Sequence, residues 1–147
     1  MTRQARLSGK PVVYRRARAE GELALGRATR KAVRDGTVAK GDPRTAGELA
    51  GLLAVKRTPE LIPHCHPILV TGSRVELRST GRGLRAVAEV ETMGRTGVEM
   101  EALTAVSVAL LTAWDMVKYL EKNDLGQYPT ARIDGIRVLS KEKRPAP

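Results

Sequence analysis

Residues Val98–Lys122 read VEMEALTAVSVALLTAWDMVKYLEK and contain no glycine or proline. Leu103, Val106, Leu110, Trp114, Val117 and Leu120 recur at the three-to-four-residue spacing that gathers side chains on one helical face, and Ala, Leu, Val and Glu surround them. The spacing predicts one helix of roughly 22 residues, about 33 Å long at 1.5 Å per residue. It should end near Asn123 and Gly126. Upstream of it, Ile68–Arg78 and Leu84–Thr92 alternate apolar and polar residues in the period of a half-buried strand. Ser79-Thr80-Gly81-Arg82-Gly83 between them reads as a hairpin loop, and Gly94–Gly97 as a second loop. Downstream, Ile133–Leu139 reads as a last strand. The N-terminal third adds a strand over Pro11–Leu25 with a break near Gly21, and a short basic helix over Arg27–Arg34 that Gly36 ends. Asp42 and Pro43 suit the N-cap and first position of another helix, which carries Leu49, Leu52, Leu53 and Lys56. That helix should stop near Thr58, because Pro59 disfavours helical backbone in the residue before it. Helices and mostly antiparallel strands in this order predict an α+β fold, a two-layer sandwich with helices on one face of the sheet.

The size fits one domain: 147 residues, 41% hydrophobic and 29% charged, enough to bury a core without staples. No apolar run approaches the roughly 20 residues of a membrane span, and Met1–Lys10 has no apolar core behind its basic residues to make a secretory signal. The single cysteine, Cys65, excludes an internal disulfide framework and fits a reducing, cytoplasmic setting. The net charge of +10 sits at the ends. Residues 1–34 hold ten basic and two acidic side chains, and 141–147 three basic and one acidic. Residues 1–10 read as a flexible basic arm, 11–140 as the folded domain and 141–147 as a basic tail. Nucleic-acid modules spread cations along a groove and interleave aromatic side chains for stacking. This chain has no Phe, one Trp and three Tyr, so nucleic acid is not expected as a partner.

Four groups of side chains carry candidate chemistry. His64-Cys65-His66 lies between Pro63 and Pro67. In an extended chain His64 and His66 share one side and Cys65 takes the other. Two ligands on a face are too few for zinc unless carboxylates or a second chain complete the set, so a non-metal active site or a structural segment is expected ahead of a metal site. Glu99-Met100-Glu101 opens the long helix, where acidic residues suit the helix dipole whether or not they bind anything. Asp115 and Lys118 share a helical face at i and i+3, either as a surface pair or as an acid–base pair. Lys40 sits on a Gly-Asp-Pro turn as a candidate base or phosphate contact, and Lys56-Arg57 are further candidates for phosphate; from spacing alone each reads first as a solvated cation.

Together these segments resemble one family. Lys40-Gly41-Asp42, Leu49-Ala50-Gly51, Ala54-Val55-Lys56-Arg57-Thr58, Leu61-Ile62-Pro63 and Cys65-His66-Pro67 form one signature. The run from Thr96 to Ala105, followed by Asp115-Met116 and Lys118, forms the second. Both are similar to cyclic pyranopterin monophosphate synthase, the C protein of molybdenum cofactor biosynthesis, and the likeness extends over roughly residues 12–140. It implies a ferredoxin-like α+β sandwich. It also implies a lyase that converts the GTP-derived 3',8-cyclo-7,8-dihydroguanosine triphosphate to a cyclic pyranopterin monophosphate with release of pyrophosphate, without metal or organic cofactor. It assigns catalysis to Lys40, Asp115 and Lys118 and substrate binding to His64, Cys65, His66, Glu99, Met100 and Glu101. Depressed lysine pKa values would serve such roles. His64 stands where the family has leucine, and the family's C-terminal glycine-lysine-serine-glycine loop is replaced by residues 140–147. A non-catalytic nucleotide- or RNA-binding protein on the same scaffold is the alternative expectation.

Geometry adds an expectation about assembly. Glu101 and Asp115 are fourteen residues apart on one helix, about 21 Å along its axis, too far for one pterin-sized centre. An isologous dimer with antiparallel long helices would bring Asp115 and Lys118 of one subunit to Met100, Glu101 and Cys65-His66 of the other. The resemblance adds that such dimers assemble into hexamers.

Overall fold

A computed structural model describes residues 1–147. In chain order the elements are β1 (Val13–Ala24), α1 (Arg27–Asp35), α2 (Pro43–Leu61), β2 (Val70–Ser79), β3 (Gly83–Gly94), α3 (Glu99–Glu121) and β4 (Arg132–Arg144). The sheet runs β2-β3-β1-β4 with every neighbouring pair antiparallel. Two interleaved βαβ units produce this order: β3 lies between β1 and β2, and β1 between β3 and β4. This is the expected two-layer α+β sandwich of ferredoxin-like topology, with α2 and α3 packed together over one face of the sheet.

The core is built from alternation on the strands and a broad apolar face on α3. Ala17, Ala19 and Leu23 of β1, Val75 and Leu77 of β2, and Leu84, Ala86, Ala88 and Val90 of β3 meet Ala102, Ala105, Val106, Ala109, Leu110, Ala113 and Val117 of α3. By length and composition alone α3 would pass as a membrane span. Its buried face against the sheet and α2 marks it instead as the central core helix.

Small residues set how closely the layers approach. Gly47 and Gly51 lie one turn apart on α2. A Cβ at Gly47 would stand 2.9 Å from the Ala109 carbonyl oxygen, and one at Gly51 3.1 Å from that of Ala105. The seam between the helices is therefore made of glycine and alanine, and Leu49 and Leu53 point outward, 62% and 51% exposed. Gly21 has the same function on the sheet and does not break β1. A Cβ there would meet Val106 at 2.9 Å and Leu110 at 3.0 Å. The irregularity lies instead in the pairing with β4, whose register shifts between Arg18 and Ala19 and again between Glu20 and Glu22.

Two boundaries differ from expectation. α2 runs through Pro59 to Leu61 rather than stopping at Thr58. Proline in the final turn removes a single N–H, and the helix closes behind it with Ile62 N–H donating to the Thr58 carbonyl at 2.9 Å. β4 extends to Arg144, well beyond Leu139 and into the residues read as a tail. Its outer half pairs with the start of β1, Tyr14 opposite Arg144 and Arg16 opposite Glu142. The Arg144 guanidinium lies 4.3 Å from the centre of the Tyr14 ring.

Candidate active site

The turn before α2 is held from several directions. The Gly41 N–H donates to the Val38 carbonyl at 3.0 Å, and Gly41 takes φ +103°, backbone that a side chain would strain. Asp42 then caps α2 by accepting from the Arg44 N–H at 2.9 Å. The preceding N–H, that of Ala39, donates to the Tyr119 hydroxyl oxygen on α3 at 2.7 Å. Lys40 therefore leaves a turn tied to α3. Its Nζ reaches the Asp115 carboxylate at 3.6 Å and the Asp115 carbonyl oxygen at 3.3 Å. Lys118, one turn further along α3, approaches the other carboxylate oxygen of Asp115 at 2.7 Å.

Lys40, Asp115 and Lys118 thus converge from two elements on a water-exposed end of the molecule. The hydrogen bond from Lys118, its charge and then that of Lys40 hold the Asp115 carboxyl below its ordinary range. In return, the Asp115 hydrogen bond and charge push the Lys118 ammonium up. In the single chain Lys118 is therefore a firmer cation than usual, contrary to the lowered value expected for it. Trp114, packed edge-on against Tyr128 at 5.5 Å between ring centres, ties the loop after α3 to the same end of the helix.

The second group gathers at the opposite end of α3. His64, Cys65, His66, Thr96, Gly97, Glu99, Met100 and Glu101 line a cleft of about 220 Å³, with Ala5, Leu7, Lys10 and Ile68 completing its wall. The segment is a turn followed by extended chain, since the Cys65 N–H donates to the Ile62 carbonyl at 3.0 Å. That turn is why His64, Cys65 and His66 all reach one cleft, where a fully extended chain would have alternated them. Three or more His, Cys, Asp or Glu side chains do not cluster here, or elsewhere in the chain, as metal ligands would.

The two glutamates differ. Burial pushes the Glu99 carboxyl up, but its hydrogen bond to Lys141 and the charges of Lys141 and Arg15 outweigh that and hold it below its ordinary value. The Lys141–Glu99 contact is 2.9 Å. Glu101 is only 3% exposed, and its Oε2 is buried without a hydrogen-bond partner. Burial, with a smaller contribution from the Glu99 charge, pushes its carboxyl up. Burial and the Glu101 charge likewise raise the Cys65 thiol.

A raised carboxyl has a signed consequence. The folded chain keeps the Glu101 proton to higher pH than the unfolded chain, so this stability is present at low pH. It is lost as pH climbs from the ordinary carboxylate range through the folded pKa. Glu101→Gln is expected to raise the urea midpoint at neutral pH and to flatten that decline. Urea unfolding across a pH series measures both; a variant with an unchanged midpoint at every pH would contradict the desolvated carboxyl.

The structure thus forms two groups of the residues singled out in the sequence and keeps them at opposite ends of one helix. Residues outside the candidate groups also take part. Tyr119 positions the Lys40 turn, and its i+4 spacing from Asp115 was a usable signal. Lys141, from the segment read as a tail, neutralises Glu99. Gln4 of the N-terminal arm donates to the Cys65 carbonyl at 3.0 Å, a contact with no signature in local sequence.

Residues 5–144 match the model of the MoaC family. A protein of Methanosarcina acetivorans named "Probable cyclic pyranopterin monophosphate synthase" is 52% identical over 141 residues, covering 96% of this chain and 89% of that one. Identically named proteins of Pyrococcus abyssi and Sulfurisphaera tokodaii are each 50% identical, over 91% and 93% of this chain and 84% and 91% of their own. Identity at this level along nearly the whole length, with both residue groups inside the matched region, shows that the chain belongs to the MoaC family.

Proposed function

We propose that the protein is a cyclic pyranopterin monophosphate synthase of molybdenum cofactor biosynthesis, a soluble cytoplasmic lyase that rearranges the GTP-derived cyclic nucleotide and releases pyrophosphate. The observation that carries this reading is the convergence of Lys40 and Lys118 on Asp115, in a chain about half identical, end to end, to proteins of that name. Rearranging a purine and ribose into a pyranopterin requires protons to be moved between carbon, nitrogen and oxygen. Asp115 keeps its charge beside two ammonium groups and holds the Lys118 Nζ in place as a proton donor. Glu101, whose burial favours the protonated form, is a second donor in the cleft with His66. Lys40 and Lys118 suit a polyphosphate, because charge-assisted contacts to phosphate are the strong ones, and an imidazole N–H can donate to it as well.

Each reaction centre in this reading takes the Lys40–Asp115–Lys118 group from one copy and the His66–Glu101 cleft from another, and the dimers assemble further into hexamers. Three features support it: the fourteen-residue separation along α3, the exposure of Asp115, and outward-facing Leu49, Leu53 and Leu111 on α2 and α3. A second copy closing over Lys118 would strip water from the ammonium, which lowers its pKa and frees its proton. The test is direct. Purified protein incubated with the cyclic nucleotide is expected to yield pyranopterin and pyrophosphate in equal amounts. Unconsumed substrate, or consumption without pyrophosphate, would overturn the assignment.

A further inference from the structure

The N-terminal arm is held over the cleft. Besides the contact from Gln4 to Cys65, the Lys10 N–H donates to the Leu7 carbonyl at 3.0 Å and closes a turn. Arg95 Nη1 donates to the carbonyl oxygens of Ser8 and Lys10, at 2.9 and 3.2 Å. These bonds fix the backbone from which the Lys10 side chain departs. Lys10 is the only lysine or arginine among the side chains that line the cleft, and it makes no ion pair. The other local charges are accounted for: Glu99 is matched by Lys141, and burial disfavours ionised Glu101. On the C-terminal side, β4 is paired with β1 out to Arg144.

We propose that the arm is the closing wall of this cleft and that Lys10 binds the phosphates of the substrate. This rests on reading the cleft as half of the reaction centre. On this half of the centre the polyanion then meets a fixed ammonium, which the arm, pinned by Arg95, delivers to the cleft. A solvated arm would instead contribute only its net charge, wherever that charge lay.

Calorimetric binding of inorganic tripolyphosphate to the full-length chain separates these, using Lys10→Ala, Lys10→Arg, Arg95→Ala and, as a control for net charge, Lys143→Ala. Lys10→Ala is expected to bind about tenfold more weakly than wild type, the scale of one charge-assisted contact. Lys10→Arg and Lys143→Ala should stay within about twofold, and Arg95→Ala should lose part of the affinity by releasing the arm. With the cyclic nucleotide, Lys10→Ala should raise KM about tenfold and leave kcat within about threefold, as for a contact made equally in ground and transition states. Wild type that does not bind tripolyphosphate, or Lys10→Ala that binds as Lys143→Ala does, overturns the proposal. Tripolyphosphate binding that depends on Lys10, in a protein that does not turn over the cyclic nucleotide, supports the phosphate site and refutes the activity.

Discussion

Asp115→Ala is expected to lower turnover of the cyclic nucleotide at least about 100-fold, the usual scale for loss of a positioned acid–base group, with the protein still folded. Lys40→Ala and Lys118→Ala should each fall as far. The reasoning is geometric. Asp115 touches both ammonium groups, at 3.6 and 2.7 Å, so removing its carboxylate leaves two like charges without the group that positions them. All three side chains are exposed and outside the core, and surface substitutions away from caps and buried networks shift stability little. Urea midpoints near wild type alongside collapsed turnover would therefore separate chemistry from folding. Asp115→Asn refines the result: it keeps the shape and removes the charge, and should be nearly as impaired as alanine. Near-normal turnover in all of these variants would remove the catalytic assignment.

How far the molecule could be read from its residues depended on what each element buries. α3 and the β2–β3 hairpin were legible because one face of each is apolar and periodicity records it. The outer half of β4 was not. Lys141, Glu142, Lys143 and Arg144 bury nothing, and backbone pairing with β1 orders them, an interaction that side-chain pattern does not record. In α2 the inner face joins Gly47, Gly51 and Ala54 to Val55 while Leu49 and Leu53 point outward, so its N-cap rather than its apolar pattern made it readable. Pro59 misled for a different reason: it disfavours helical backbone at Thr58 without forbidding it, and Thr58 stays in the helix, its hydroxyl donating to the Ala54 carbonyl at 2.9 Å. Within the site, Asp115 and Lys118 were readable as a pair from i, i+3 spacing, and Lys40 joined them only through the family likeness. The bond from Ala39 to Tyr119 holds the turn before α2 against α3, and so brings Lys40 within reach of Asp115. Long-range contacts of this kind, like that of Gln4 with Cys65, have no local period to betray them.

The separation of the two groups along α3 was readable by counting residues, and it supports the central claim, that each reaction centre is shared between two copies. Complementation tests it most directly. An Asp115→Ala chain and a His66→Ala chain should each be inactive alone. Refolded together in equal amounts, about half of the dimers are hybrids, and under two-fold symmetry each hybrid carries one site with both lesions and one with neither. About a quarter of wild-type turnover should return on that counting. Recovery near that level, with hybrids demonstrated by mass spectrometry, is the expected result; demonstrated hybrids whose activity stays at the mutant baseline would contradict a shared site and require one built within a single chain.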